Sequence, residues 1–94
     1  MAEISVESSE TADGWRFDVR VAGGGSESRH EVTLSRADRD RIAGGADPEH
    51  LVRESFAFLL KREPKESILA SFDLTVIARY FPEYERAMAE RFGS

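Results

Sequence analysis

The spacing of the apolar residues changes at Ser35, and this change constrains the fold more than any other feature of the chain. Before Ser35, apolar side chains recur at every second position, which is the period of a strand with one buried face. The clearest run is Trp15, Phe17, Val19 and Val21. After Ser35 they recur at helical spacing. The sequence therefore predicts an α+β fold in which strands come first and helices follow.

Three strands are predicted, at about 3–7, 15–22 and 28–34. A polar turn that ends in Asp13 and Gly14 separates the first two strands, and a glycine-rich loop separates the second from the third. Strands that follow one another through short connections usually pair antiparallel. We therefore expect a three-stranded antiparallel β-meander with one apolar face.

Four helices are predicted after the strands, at about 36–43, 48–62, 64–71 and 74–92, the last with a break at Pro82. Ser35 precedes the first helix and is followed three positions later by Asp38, which is the pattern of a capped helix start. Asp47 and Pro48 are typical of the cap and the first position of the second helix. Because the sheet has one apolar face, the helices should pack on that face.

Length and composition limit the domain count and the environment. Ninety-four residues suit a single domain over 1–94. The chain has no cysteine, which excludes disulfides and thiolate chemistry. The longest apolar run, at 56–60, is too short to span a bilayer, and the first residues do not have the pattern of a signal peptide. We therefore expect a cytoplasmic protein without a membrane partner.

No arrangement of residues in the sequence indicates catalysis or ligand binding. His50 and Glu54 are four positions apart and share a helix face, but even with Asp47 nearby they are a weak metal signal. His30 falls on the apolar face of the third strand, where we expect a hydrogen-bonded residue at the border of the core. The glycines at 23–25 are followed by no lysine and lead into a strand, unlike a phosphate-binding loop. We expect a non-enzymatic protein with no catalytic residue, no cofactor and no metal.

A stripe of aromatic and methionine side chains lies near the end of the sequence: Tyr80, Tyr84, Met88 and Phe92. Such a stripe belongs either to the core side of a closing helix or to the centre of a protein interface, where these residue types are enriched. Because no chemistry competes with it, the predicted function is protein–protein interaction or homo-oligomerisation. The four residues are the candidate interaction surface, and their packing in the core is the alternative.

Residues 29–62 suggest an alternative function. They are predicted to form a strand, a Ser-capped helix, a Gly-Gly loop and a second helix capped by Asp47. This order resembles the ribbon-helix-helix family of DNA-binding dimers. The resemblance implies a strand that pairs with its copy across a dimer and enters the major groove, with Arg29 and Thr33 contacting DNA. Glu31 on the same face and the net charge of −5 oppose contact with phosphate, so a protein partner or a second copy is expected before nucleic acid.

Overall fold

The computed structural model describes residues 2–93 and has the α+β fold that the sequence predicts. Its strands are β1 (Glu3–Glu10), β2 (Gly14–Gly23), β3 (Ser26–Ser35) and β4 (Ser71–Asp73). Its helices are α1 (Arg36–Ala43), α2 (Pro48–Leu60), α3 (Ile77–Tyr80) and α4 (Tyr84–Phe92), with 3₁₀ turns at Lys65–Ser67 and Leu74–Val76. The strands lie in the order β1–β2–β3–β4. The first three are antiparallel, and β4 runs parallel to β3.

The connections between the first three strands are shorter than predicted. β1 continues to Glu10, and Gly24 and Gly25 alone join β2 to β3. Both glycines have positive φ angles, 63° and 80°, as a type I′ hairpin turn requires. This turn sets Gly23 opposite Ser26 and fixes the register of the whole hairpin. The apolar residues of both strands consequently face the same side.

The starts of the first two helices agree with the predicted caps. The Ser35 side chain accepts a hydrogen bond from the backbone N–H of Asp38 at 3.1 Å, and the Asp47 carboxylate accepts one from the N–H of Glu49 at 3.0 Å. Each cap satisfies a backbone donor that the first turn of a helix leaves free. The first helix has its predicted bounds, and the second ends at Leu60, two residues before the predicted end.

The prediction of a helix at 64–71 is wrong, and the sheet has four strands where three are predicted. Only Lys65–Ser67 forms a 3₁₀ turn, and the chain then extends into β4. The backbone N–H of Glu31 donates to the carbonyl oxygen of Ala70 at 2.8 Å, immediately before β4 begins. β4 thus pairs with backbone groups on the second edge of β3, which a meander alone would leave without a strand partner.

The core lies between one face of the sheet and the helices, as predicted. Most apolar side chains of 0–2% exposure come from the two central strands and from α2: Phe17, Val19, Val21, Val32, Leu34, Leu51, Val52 and Phe56. The equally buried Ile42, Leu74 and Tyr84 come from the helical segments around them. The last helical region is interrupted where predicted, because α3 ends at Tyr80 and α4 begins at Tyr84, on either side of Pro82. This interruption places the end of α3 at the surface.

Trp15 lies at the border of this core. Its ring is half-buried and packs against the buried cluster. The guanidinium groups of Arg36 and Arg39 lie 5.2 and 5.1 Å from the ring centre, within the range of a cation–π interaction. The indole therefore joins the start of β2 to α1.

Candidate interaction surface

Two of the four residues predicted as an interaction surface are in the core. Tyr84 is 0% exposed and Met88 is 3% exposed, so neither can contact a partner in the folded chain. The Ser55 hydroxyl donates to the carbonyl oxygen of Leu51 at 2.7 Å, and the Tyr84 hydroxyl lies 2.6 Å from the Ser55 oxygen. Burial raises the pKa of the Tyr84 phenol above its usual value. These residues hold α4 against α2.

The other two predicted residues are accessible but lie in different surroundings. Phe92 is half-buried, and its ring packs edge-on against His50 with the ring centres 5.1 Å apart. Tyr80 is 67% exposed and lines an apolar groove to which Phe92 does not contribute. The predicted stripe is therefore not one surface, and Tyr80 alone of its four members belongs to this groove.

The apolar groove has a volume of about 190 Å³ and lies between the end of α2 and the chain from 67 to 81. Its lining residues are Leu59, Glu63, Ser67, Ile68, Leu69, Phe72, Val76, Ile77, Tyr80 and Phe81. Leu59, Ile68 and Ile77 are buried and form its base. Two side chains stand out of it, Leu69 at 47% and Tyr80 at 67% exposure. They are the two large hydrophobic side chains exposed in residues 2–93, and both line this groove.

The wall that carries Leu69 is fixed to the sheet by His30. His30 is 5% exposed, and its Nδ1 atom lies 2.7 Å from the carbonyl oxygen of Leu69. Because a carbonyl oxygen only accepts, Nδ1 carries the proton and donates it. Nε2 lies 2.8 Å from the Ser28 hydroxyl. The sequence prediction of a hydrogen-bonded histidine at the border of the core is thus confirmed, and the bond presents the side chain of Leu69 to solvent.

The wall that carries Tyr80 begins at Asp73. The Asp73 carboxylate accepts hydrogen bonds from the hydroxyl of Thr33 at 2.8 Å and from the hydroxyl of Thr75 at 2.6 Å. These bonds join the end of β4 to the outer face of β3 and start the turn that leads into α3. Ile77 then packs into the core at 3% exposure, which places Tyr80 at the rim of the groove.

One acid in the groove and one base next to it in sequence have no ion-pair partner in the described part of the chain. Glu63 lines the groove and is half-buried, and Arg79 is exposed beside Tyr80. Two bases near Glu63 in sequence are paired with other acids, since Arg62 pairs with Glu83 at 3.2 Å and Lys65 with Glu66 at 3.0 Å. The groove is therefore lined by one carboxylate that is available to a partner, and the guanidinium of Arg79, which does not line the groove, is available next to Tyr80 in the sequence.

Leu69, Phe72 and Glu63 are parts of the groove that the sequence does not predict as a surface. The helix predicted at 64–71 contains Leu69, and Phe72 falls between it and the next predicted helix. One signal was present: Ile68 and Leu69 are adjacent apolar residues in a short segment between Pro64 and the polar Ser71. Two adjacent side chains in an extended segment point to opposite sides, so one of them must face away from the core.

The topology does not fit the ribbon-helix-helix arrangement. β3 is a central strand that pairs with β2 along its length and with β4 at Glu31–Thr33, so the middle of its second edge is already occupied and cannot pair across a dimer. Arg29 and Thr33 do lie on the exposed outer face of β3. On the same face Glu7, Asp18 and Glu31 stand opposite one another on three neighbouring strands. This row of carboxylates repels phosphate.

The outer face of the sheet also forms a polar depression of about 420 Å³. Of its two arginines, Arg20 pairs with Glu27 at 2.9 Å, and its Glu31 pairs with Arg16 at 3.8 Å. Residues 2–93 contain no group of three histidine or carboxylate side chains arranged to hold a metal ion. The depression is a solvated face of mixed charge.

Comparison with known proteins does not place the chain in a family. No family model, curated protein or solved structure matches it. In the part of the chain that the structure describes, no helix has both the length and the apolar character needed to cross a membrane. The function therefore has to be inferred from the apolar groove and its charges.

Proposed function

We propose that the protein is a non-enzymatic protein–protein interaction module that binds its partner in the apolar groove. The observation that supports this proposal is the position of Leu69 and Tyr80, which are the exposed large hydrophobic side chains of residues 2–93 and stand at one site. Isolated exposed apolar residues are ordinary, but grouped ones mark a contact surface. We also propose a cytoplasmic location, which the absence of cysteine supports.

The groove has the composition of an interface centre. Aromatic residues dominate binding energies at such centres because they bury a large area at a small cost in side-chain entropy. Tyr80 and Leu69 supply apolar area, and Phe72 and Phe81 extend it into the groove. A partner that places one bulky apolar side chain between them, next to a charged residue, matches both the shape and the charges of the site.

Selection from a library of random peptides displayed on phage tests this proposal without knowledge of the partner. We expect the enriched peptides to share a bulky apolar residue beside a charge. Leu69→Glu and Tyr80→Glu should each weaken their binding by about tenfold or more, because each introduces a charge into an apolar contact. Both side chains are exposed, so the free energy of unfolding should stay within about 0.5 kcal/mol of the wild type.

Arg29→Glu is the control, because it places a carboxylate at an exposed position on the outer face of the sheet, away from the groove, and makes a larger change of net charge than either groove variant. It should bind the peptides as the wild type does. If no peptide is enriched, or if the enriched peptides bind Leu69→Glu and Tyr80→Glu with unchanged affinity, the groove is not a docking site and the proposal is wrong.

A further inference from the structure

We infer that the occupant of the apolar groove is the same groove of a second copy of this chain, in a two-fold symmetric dimer. This inference rests on the proposed function and names its partner. In the dimer, Tyr80 of each copy packs into the groove of the other, and Arg79 of each copy faces the other's Glu63.

The first support is self-complementarity. A two-fold interface uses the same patch twice, so the patch must contain both members of every contact it makes. The groove meets this condition for apolar contacts, since it combines a depression with a protruding aromatic side chain, Tyr80. A patch that was only concave or only convex would need a different partner.

The second support is charge. Glu63 at the groove and Arg79 beside Tyr80 have no ion-pair partner among residues 2–93, and they do not pair with each other within the chain. Packing Tyr80 into a second copy carries the adjacent Arg79 to the groove where Glu63 lies. Each two-fold contact then forms two ion pairs at once, and neither charge is left facing an apolar surface.

The free sheet edge is a poorer place for self-association. β1 is an edge strand and carries Glu3, Glu7 and Glu10 without a basic residue. Two such strands side by side would bring like charges together, which is one way that proteins prevent edge pairing. In addition, the Arg53 guanidinium donates a hydrogen bond to the carbonyl oxygen of Ile4 at 2.6 Å and so occupies an acceptor of β1.

The size of the groove sets the strength of the dimer. Ten residues line it, whereas a stable interface of standard size engages about 20–30 residues on each side. The dimer is therefore a reversible one, and its population changes with protein concentration. Sedimentation equilibrium from micromolar to millimolar concentration should show a mass that rises from 10.5 kDa towards twice that value.

Charge reversal tests the contact itself. Glu63→Arg and Arg79→Glu should each raise the dissociation constant by about tenfold or more, because each variant places like charges together twice in its own dimer. A mixture of the two variants should dimerise as the wild type does, since both cross-contacts then join opposite charges. Arg29→Glu, with an equal change of charge on the outer face of the sheet, should dimerise as the wild type does. Chemical denaturation of each variant checks that it is folded.

The outcomes separate this inference from the proposed function. One outcome is a wild type that stays at 10.5 kDa at millimolar concentration and still binds the selected peptides through Leu69 and Tyr80. This result would contradict the dimer and support the proposed interaction function. A dimer that neither charge reversal weakens, or that mixing does not restore, also overturns the inference. If the protein stays monomeric and its groove selects no peptide, both the dimer and the proposed interaction function are wrong.

Discussion

At the scale of single residues, Gly14 shows how a correct sequence signal can have a different structural cause. Asp13 and Gly14 predict a turn, and the chain does turn before β2. Gly14 nevertheless lies in β2 and has no positive φ angle. A Cβ atom at this position would stand 2.1 Å from the carbonyl oxygen of Leu34 and 2.7 Å from the Cα atom of Ser35. Glycine is needed because β3 approaches too closely for any side chain.

Gly14→Ala should therefore lower the free energy of unfolding by at least about 2 kcal/mol, because the clash is with backbone that cannot rotate away. Urea denaturation measures the change. Gly45→Ala is the control, because a Cβ atom there would meet no atom within 4 Å and the backbone at position 45 has no positive φ angle. It should leave stability unchanged or raise it slightly. Equal effects of the two substitutions would show that the close approach of β3 is not what requires glycine at position 14.

At the scale of elements, His30 connects the sheet to a segment 39 residues further along the chain. His30→Ala removes the donor to the Leu69 carbonyl oxygen and should loosen β4 before the rest of the sheet. The backbone N–H of Glu31, which donates to Ala70, should exchange with solvent at least about tenfold faster in this variant. Hydrogen exchange followed by NMR measures this rate.

His30→Asn is the matched comparison, because its side-chain amide places a donor near the position of Nδ1. It should recover part of the protection at Glu31. If His30→Ala accelerates the exchange of the β1–β2 amides as much as that of Glu31, the histidine stabilises the whole fold and is not a local tether of β4.

The elements that the sequence predicts well are those whose signals are local. The start of α1 depends on Ser35 and Asp38, and the start of α2 depends on Asp47 and Pro48, so each is visible within four residues. β4 has three residues and is stabilised by β3, 40 positions away in sequence. This segment falls at the junction of two predicted helices, and no pattern within so few residues marks it as a strand.

The predicted stripe of Tyr80, Tyr84, Met88 and Phe92 does not form one surface, and the reason is geometric. Residues four apart are separated by about 40° around a helix, so a stripe at that spacing rotates steadily away from its starting direction. Tyr84 and Met88 face the core, and by Phe92 the rotation has reached the edge of the core. Tyr80 precedes the interruption at Pro82 and belongs to another helix, so its direction is independent of theirs. Whether each aromatic is buried therefore depended on tertiary packing that the spacing does not contain.

At the scale of the whole molecule, the alkaline limit of stability depends on a buried phenol. Of the 13 basic residues, all but Lys61 and Lys65 are arginines, whose charge persists well above pH 11. Most of the surface ion pairs therefore survive in alkaline solution. Tyr84 differs, because burial raises its pKa in the folded chain above the usual value of 10.0, and unfolding returns it to solvent. Above that pH the unfolded chain releases a proton that the folded chain retains.

Because the unfolded chain loses this proton first, the free energy of unfolding falls as pH rises above about 10. The contribution of Tyr84 to this fall is about 1.4 kcal/mol per pH unit. Tyr84→Phe should be about 1 kcal/mol less stable than the wild type at neutral pH, since the hydroxyl no longer bonds to Ser55. Its stability should then fall less steeply, so that near pH 11 it equals or exceeds that of the wild type. Urea denaturation of both proteins at neutral pH, pH 10 and pH 11 measures the two curves. Parallel curves would mean that ionisation of Tyr84 does not oppose folding, and that the hydroxyl acts only through its hydrogen bond to Ser55.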